Sequence, residues 1–294
     1  MTDNKNRGWQ RVLLLIFPYV IIVGVFQLIG VICAGVDINN PNPDYTTLQH
    51  TIISVFNVLG TCLLLWLFME FADKEKFINL GFQIKNRGKD IIIGIILGLV
   101  IISLGYFSLL FLKEINYTKI TFNFKEVLLS ILLFTLVSAG EEMLFRGYIL
   151  KNLMISFHKY TALLVTSLLF ALMHGFNPNI DLFSLLNLFL GGIVLGITYI
   201  HTKNLWFPMA LHLSWNLFQT FYGFKVSEQK SYSIIEFTIQ NPNKLNGGEF
   251  GFEGSILAVI AQIITISIIA FYYYRKSNNN SSGKTQLVQT VNKK

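Results

Sequence analysis

The chain has 294 residues, of which 53% are hydrophobic and 13% charged. An average soluble domain carries about 25% charged residues, so this chain has about half the usual material for coating a surface. That excludes an ordinary water-soluble globule and a disordered chain. The formal charge of +7, from 23 Lys and Arg against 16 Asp and Glu, is read as basic loops at a cytoplasmic membrane face and not as a nucleic-acid surface. Cys33 and Cys62 both lie in apolar runs, which leaves no disulfide framework and no cysteine metal cluster.

A helix needs about 20 mainly apolar residues to cross the hydrocarbon of a bilayer. In chain order, eight stretches meet or approach that length: 12–35, 51–71, 91–112, 127–150, 161–174, 182–200, 205–222 and 256–274. The first follows Lys5, Arg7 and Arg11, but its apolar run is longer than that of a signal peptide and has no A-x-A cleavage site. It reads as a retained helix bent at Pro18. The fifth is short and is expected to extend back toward Phe157. The predicted fold class is all-α, a polytopic membrane helical bundle of about eight transmembrane helices. Residues 1–276 form one membrane domain, and 277–294, rich in Asn, Ser and Lys, read as a disordered cytoplasmic tail. The 223–254 connection is a long outer loop.

With the N-terminus inside, the 23 basic residues divide 17 to 6 between inner and outer segments. Connection 37–50 has no Lys or Arg, whereas 73–90 has five. Both termini are therefore expected on the cytoplasmic side of the cell membrane, which requires an even number of spans.

Ionisable groups inside spans are costly, about 2.5–3.5 kcal/mol each at a helix centre. Of the 16 acids, 14 fall in loops, tails or span ends, and only Glu141 and Glu142 lie inside a span, in Ser138-Ala-Gly-Glu-Glu-Met-Leu-Phe-Arg146. Arg146 is four residues after Glu142, so the two share a helix face and can pair. Glu141 points about 100° away and lacks that neutralisation, which makes it the better candidate for a general base. One Glu–Arg pair could simply join helices, and the second, unpaired glutamate argues for function. His50, His158 and His201 fall at loops or span ends. His174 closes the fifth stretch in Phe170-Ala-Leu-Met-His174, and His212 lies within the seventh, with Asn216 four residues on and on the same face.

Two chemistries suit this set. Glu141, His174 and His212 could bind a divalent metal with an open position for water, zinc being the leading candidate. Alternatively, Glu141 and a histidine could activate water directly, with His and Asn donors stabilising an oxyanion. Either hydrolyses an amide away from bulk water, on a substrate that arrives through lipid or lies against it.

Glu141-Glu142-x-x-x-Arg146, Phe170-x-x-x-His174 and His212-x-x-x-Asn216, on three separate helices, resemble the CAAX-protease and bacteriocin-processing (Abi) family of intramembrane metalloproteases, which includes the type-two CAAX prenyl endopeptidase. Each motif is weak alone; the three in this order are specific, and the resemblance covers about a third of the chain, implying a catalytic core at about 127–221. The resemblance implies an eight-helix membrane endopeptidase with a cavity opening toward the cytoplasm. It assigns water activation to Glu141, assistance or metal binding to His174 and His212, the oxyanion to Asn216, and local geometry to Glu142 and Arg146. The implied partners are membrane lipid and a membrane-associated peptide or protein substrate, with no nucleic acid. The composition suits a bacterium, for which a prenylated substrate is a poor match. The site residues of site-2-type zinc, aspartyl and rhomboid proteases are missing from the sequence.

Two other readings compete with the endopeptidase. One is a non-catalytic scaffold or bacteriocin self-immunity protein. The other is a transporter, which predicts inverted repeats that the sequence lacks. A geometric difficulty also stands. His174 lies 13 residues from the start of its stretch, and Glu142 lies much nearer the inner end of its own. An overlong fifth helix, starting well inside the cytoplasm, is expected to bring them level.

Overall fold

The computed structural model describes residues 7–37, 45–175, 177, 180–226 and 231–291, the last twelve by backbone alone. Lys5, Lys230, Lys293 and Lys294 of the charge argument lie outside the described residues.

Among the described residues, eight helices stand where the eight apolar stretches were expected: α1 (Gly8–Cys33), α2 (Thr47–Asp73), α3 (Gly88–Phe111), α4 (Phe124–Ser156), α5 (Lys159–Met173), α6 (Leu182–Thr202), α7 (Trp206–Phe221) and α8 (Ile256–Val291). Six of them are long and apolar enough to cross a membrane; α5, at 15 residues, and α7, at 16, are shorter than a full span. The all-α bundle is as expected, but eight full-length spans are not reached. Side-chain caps begin several helices. Thr46 and Gln49 form a capping box on α2, Asn123 accepts from the amides of Lys125 and Glu126 on α4, and Asp181 accepts from Ser184 on α6.

The fifth helix is not overlong; the fourth is. α4 runs past Leu150 to Ser156, 33 residues in all, because the polar residues that look like a terminus are satisfied within the bundle. Lys151 pairs with Glu75 at 2.6 Å, and the Asn152 amide donates to the Tyr148 carbonyl at 3.2 Å. Glu142 thus lies 14 residues before the end of α4, and His174 lies 15 residues after the start of α5. Both are about 20 Å from the short link between the two helices, so this hairpin sets them at one level. α8 also outruns its hydropathy: its backbone stays helical to Val291, through most of the stretch expected as a disordered tail.

Burial decides which helices hold the site. Only 17% of the apolar window of α1 and of α8 is buried, against 61% for α6, so α6 is central and α1 and α8 are peripheral. The larger core cluster gathers on the second half of α4, where Met143–Leu150 is wound as a π-helix with every residue buried. Such π segments are uncommon and gather at functional positions. Here it starts immediately after Glu142 and carries Arg146.

The helices alternate in direction. One end of the bundle holds Gly8 and the starts of α3, α5 and α7; the opposite, distal end holds the starts of α2, α4, α6 and α8. The long 223–254 connection folds back over the distal end. Its strand β2 (Ile235–Thr238) pairs antiparallel with β1 (Asn116–Ile120), a small sheet that the helical reading did not anticipate. Tyr232 hydroxyl accepts from the Asn123 amide and donates to the Thr121 carbonyl, both at 2.7 Å. Lys244 of the same connection pairs with Asp181 at the start of α6.

Candidate active site

α4 brings Glu141, Glu142 and Arg146, the end of α5 brings His174, and α7 brings His212 and Asn216. Glu142 is fully buried, and its Oε1 accepts two hydrogen bonds, one from Arg146 Nη1 and one from His212 Nδ1, each 2.9 Å long. The Glu142–Arg146 pair is the one that helical spacing predicts. The His212 bond is a tertiary contact across 70 residues of sequence. Arg146 Nη2 donates to the Gly192 carbonyl of α6 at 3.1 Å, and its guanidinium carbon lies 4.7 Å from the centroid of the Phe170 ring. A buried cation here has a carboxylate, a carbonyl and an aromatic face as partners.

His212 stands between the two glutamates. With Nδ1 donating to Glu142, its Nε2 faces Glu141 Oε2 at 3.9 Å. That Glu141 oxygen is buried and has no hydrogen-bond partner among the described residues, while the side chain as a whole is 31% exposed to the cavity. His174 Nδ1 donates to the Phe170 carbonyl at 2.8 Å, which leaves Nε2 with its lone pair. Asn216, one turn after His212, is buried in the wall of the same cavity. The cavity encloses about 370 Å³ and is lined by Glu141, His174, His212 and Asn216 together.

Two close helix contacts hold these groups in place. A Cβ at Gly192 of α6 would lie 2.8 Å from the Ser167 Cα of α5, and one at Gly98 of α3 would lie 2.4 Å from Ser214 Oγ of α7. Only glycine allows the backbones so near.

Sequence reasoning missed two features. Phe170 was noted only as part of a motif, yet its ring packs against Arg146, against His174 at 4.8 Å and against His212 at 6.3 Å between centroids. His50, read as a span-end residue, lines the cavity together with Ser54, Asn57 and Thr61. The signal was available: polar residues at 4-3-4 spacing along an otherwise apolar helix lie on one face.

The donor types of a metal site are present, with the second nitrogen of each histidine already fixed by a hydrogen bond. Among the described residues no three His, Cys, Asp or Glu side chains form a group that could hold an ion.

Residues 123–218 match the family described as type II CAAX prenyl endopeptidase Rce1-like. This Rce1-like segment runs from the cap of α4 into α7, about a third of the chain, and includes all six site residues. No curated protein and no solved structure matches the chain. The family implies a CAAX-type intramembrane protease. With six membrane-length helices, the chain is a multi-pass membrane protein.

Proposed function

We propose that the protein is an intramembrane endopeptidase that hydrolyses a peptide bond of a membrane-associated peptide or protein, with both termini on the cytoplasmic side. A water held between Glu141 and His174 Nε2 attacks the scissile carbonyl carbon as Glu141 takes one of its protons. The carbonyl becomes an oxyanion, which accepts a hydrogen bond from the Asn216 carboxamide. Collapse of the tetrahedral intermediate breaks the C–N bond, and the proton held by Glu141 passes to the leaving amine. His212 stays between the carboxylates and fixes Glu141 electrostatically, while Glu142 and Arg146 position His212.

The observation that supports this reading best is the division of roles between adjacent carboxylates. Glu142 is held by Arg146 and His212, whereas Glu141 faces a cavity with one oxygen unpartnered among the described residues. A scaffold has no need of that asymmetry.

The test compares purified wild type and Glu141→Ala on a cellular membrane-peptide pool, scoring new peptide ends by mass spectrometry. New ends with wild type alone, at unchanged thermal stability, support the protease. Equal products from both overturn it in favour of the scaffold or self-immunity reading. A chelator arm addresses zinc: activity that survives chelation fits direct glutamate–histidine chemistry, and loss restored by added zinc replaces it with a metal mechanism.

A further inference from the structure

The cavity at Glu141 extends toward the distal end of the bundle. α2 starts at that end and lines the cavity with His50, Ser54, Asn57 and Thr61, a polar track about 17 Å long. One turn before the deep end of the track, a Cβ on Gly140 would lie 4.0 Å from Asn57 Oδ1, so Asn57 stands level with Glu141. A second cavity of about 300 Å³, among α1, α2 and α4, shares Gln27, His50, Ser54, Asn57 and Glu141 with the first. Beyond His50 the wall is completed by Asn177, Val226, Ser231 and Glu253, all from distal connections.

Charge identifies the side of the membrane. Connection 73–90, at the end that holds Gly8, carries five Lys and Arg, whereas the distal connection 37–50 carries none. Eight of the 16 acids in the sequence lie in the distal connections. The positive-inside rule therefore puts the distal end outside. The cavity wall itself contains Glu141 and Glu253 and, among the described residues, no Lys or Arg. A carboxylate entering it would lose hydration and meet the Glu141 carboxylate, with no Lys or Arg among the described lining residues to pair with.

We propose that the site draws its substrate from the non-cytoplasmic side along the α2 track, and that this substrate is a neutral or basic internal stretch of peptide, not a free carboxyl terminus. The proposal rests on the endopeptidase reading for what is cleaved. It departs from the cytoplasmic opening that the resemblance implies, because the basic end and the cavity mouth are at opposite ends of the bundle.

The test uses full-length protein in cells, with Cys33→Ser and Cys62→Ala as background. Ser231→Cys at the mouth, Ser54→Cys on the track and Lys76→Cys at the basic end are each treated with a membrane-impermeant maleimide. Expected is at least tenfold more labelling of Ser231→Cys and Ser54→Cys than of Lys76→Cys in intact cells, with Lys76→Cys reacting once the membrane is opened. The reverse pattern overturns the assigned side, and Ser231→Cys reacting while Ser54→Cys does so on neither side removes the track as a route. A carboxy-amidated Lys-rich peptide should then slow Ser54→Cys labelling severalfold, whereas an acidic peptide with a free carboxylate should not. Equal protection by both, or by neither, overturns the substrate assignment. None of these readouts needs peptide cleavage, so failure of the protease reading leaves a separate signature.

Discussion

Glu142 and Arg146 expose almost no surface, and each is retained inside the bundle because it has more than one partner. Breaking such a pair costs about 3–5 kcal/mol, whereas replacing both members by apolar side chains of similar size is often nearly neutral. Arg146→Met alone should therefore lower thermal stability in detergent by that order. Glu142→Leu combined with Arg146→Leu should recover most of the loss yet stay inactive, because His212 loses its anchor. Recovery of activity in the double variant would remove His212 positioning from the account. At this scale the sequence was informative where contacts are local. The Glu142–Arg146 pair follows from four-residue spacing, and His174 from its motif. The bond from His212 to Glu142 did not follow, because it depends on how α7 packs on α4.

At the scale of the helices, the lesson concerns ends. Lys151 and Asn152 resemble a polar terminus, and the fourth span was accordingly ended at 150; Glu75 and the Tyr148 carbonyl satisfy them, and α4 continues. Length that was expected in α5 is found in α4. Hydropathy cannot distinguish these cases, since the difference lies in partners 76 residues away or one turn back. Two predictions belong here. Gly98→Val should push α7 from α3, at a cost of about 1–3 kcal/mol, and lower activity further by displacing His212 and Asn216; thermal melts and initial rates measure both. The second concerns Asp181, which caps α6 outside the membrane. Burial raises its carboxyl, and the Lys244 ammonium and the Ser184 amide more than reverse this, holding it at about 2. An unfolded aspartate titrates near 4, at about 3.9. The folded value is the lower one, so the contribution is complete above pH ~4 and is lost as pH falls toward 2. Wild type should melt above Asp181→Asn at pH 6, and the two should converge near pH 2.

For the whole molecule, the bundle sets an adjacent pair of carboxylates in its interior and connects it by one polar face to one end. The all-helical architecture and the Rce1-like segment were legible because apolar runs and spaced motifs are written along the chain. The cover over the distal end was not, since β1 and β2 are separated by more than a hundred residues and neither strand stands out by pattern. If substrate uses the α2 track, Ser54→Trp should cut turnover about tenfold, while stability changes by less than about 1 kcal/mol because the side chain fills open cavity and not core. A melting point far below wild type would instead assign Ser54 to packing.

The most direct test of the central claim is a side-by-side measurement of Glu141→Gln and Glu142→Gln, each purified and assayed for proteolysis and thermal stability. Glutamine keeps the shape and removes the charge. The account predicts that Glu141→Gln melts like wild type and loses activity by about 10²-fold or more, as expected for a missing general base. It predicts that Glu142→Gln melts lower, because Arg146 is left buried without its counter-charge. An active Glu141→Gln, or a stability loss at Glu141 and none at Glu142, would contradict the division of roles on which the mechanism is built.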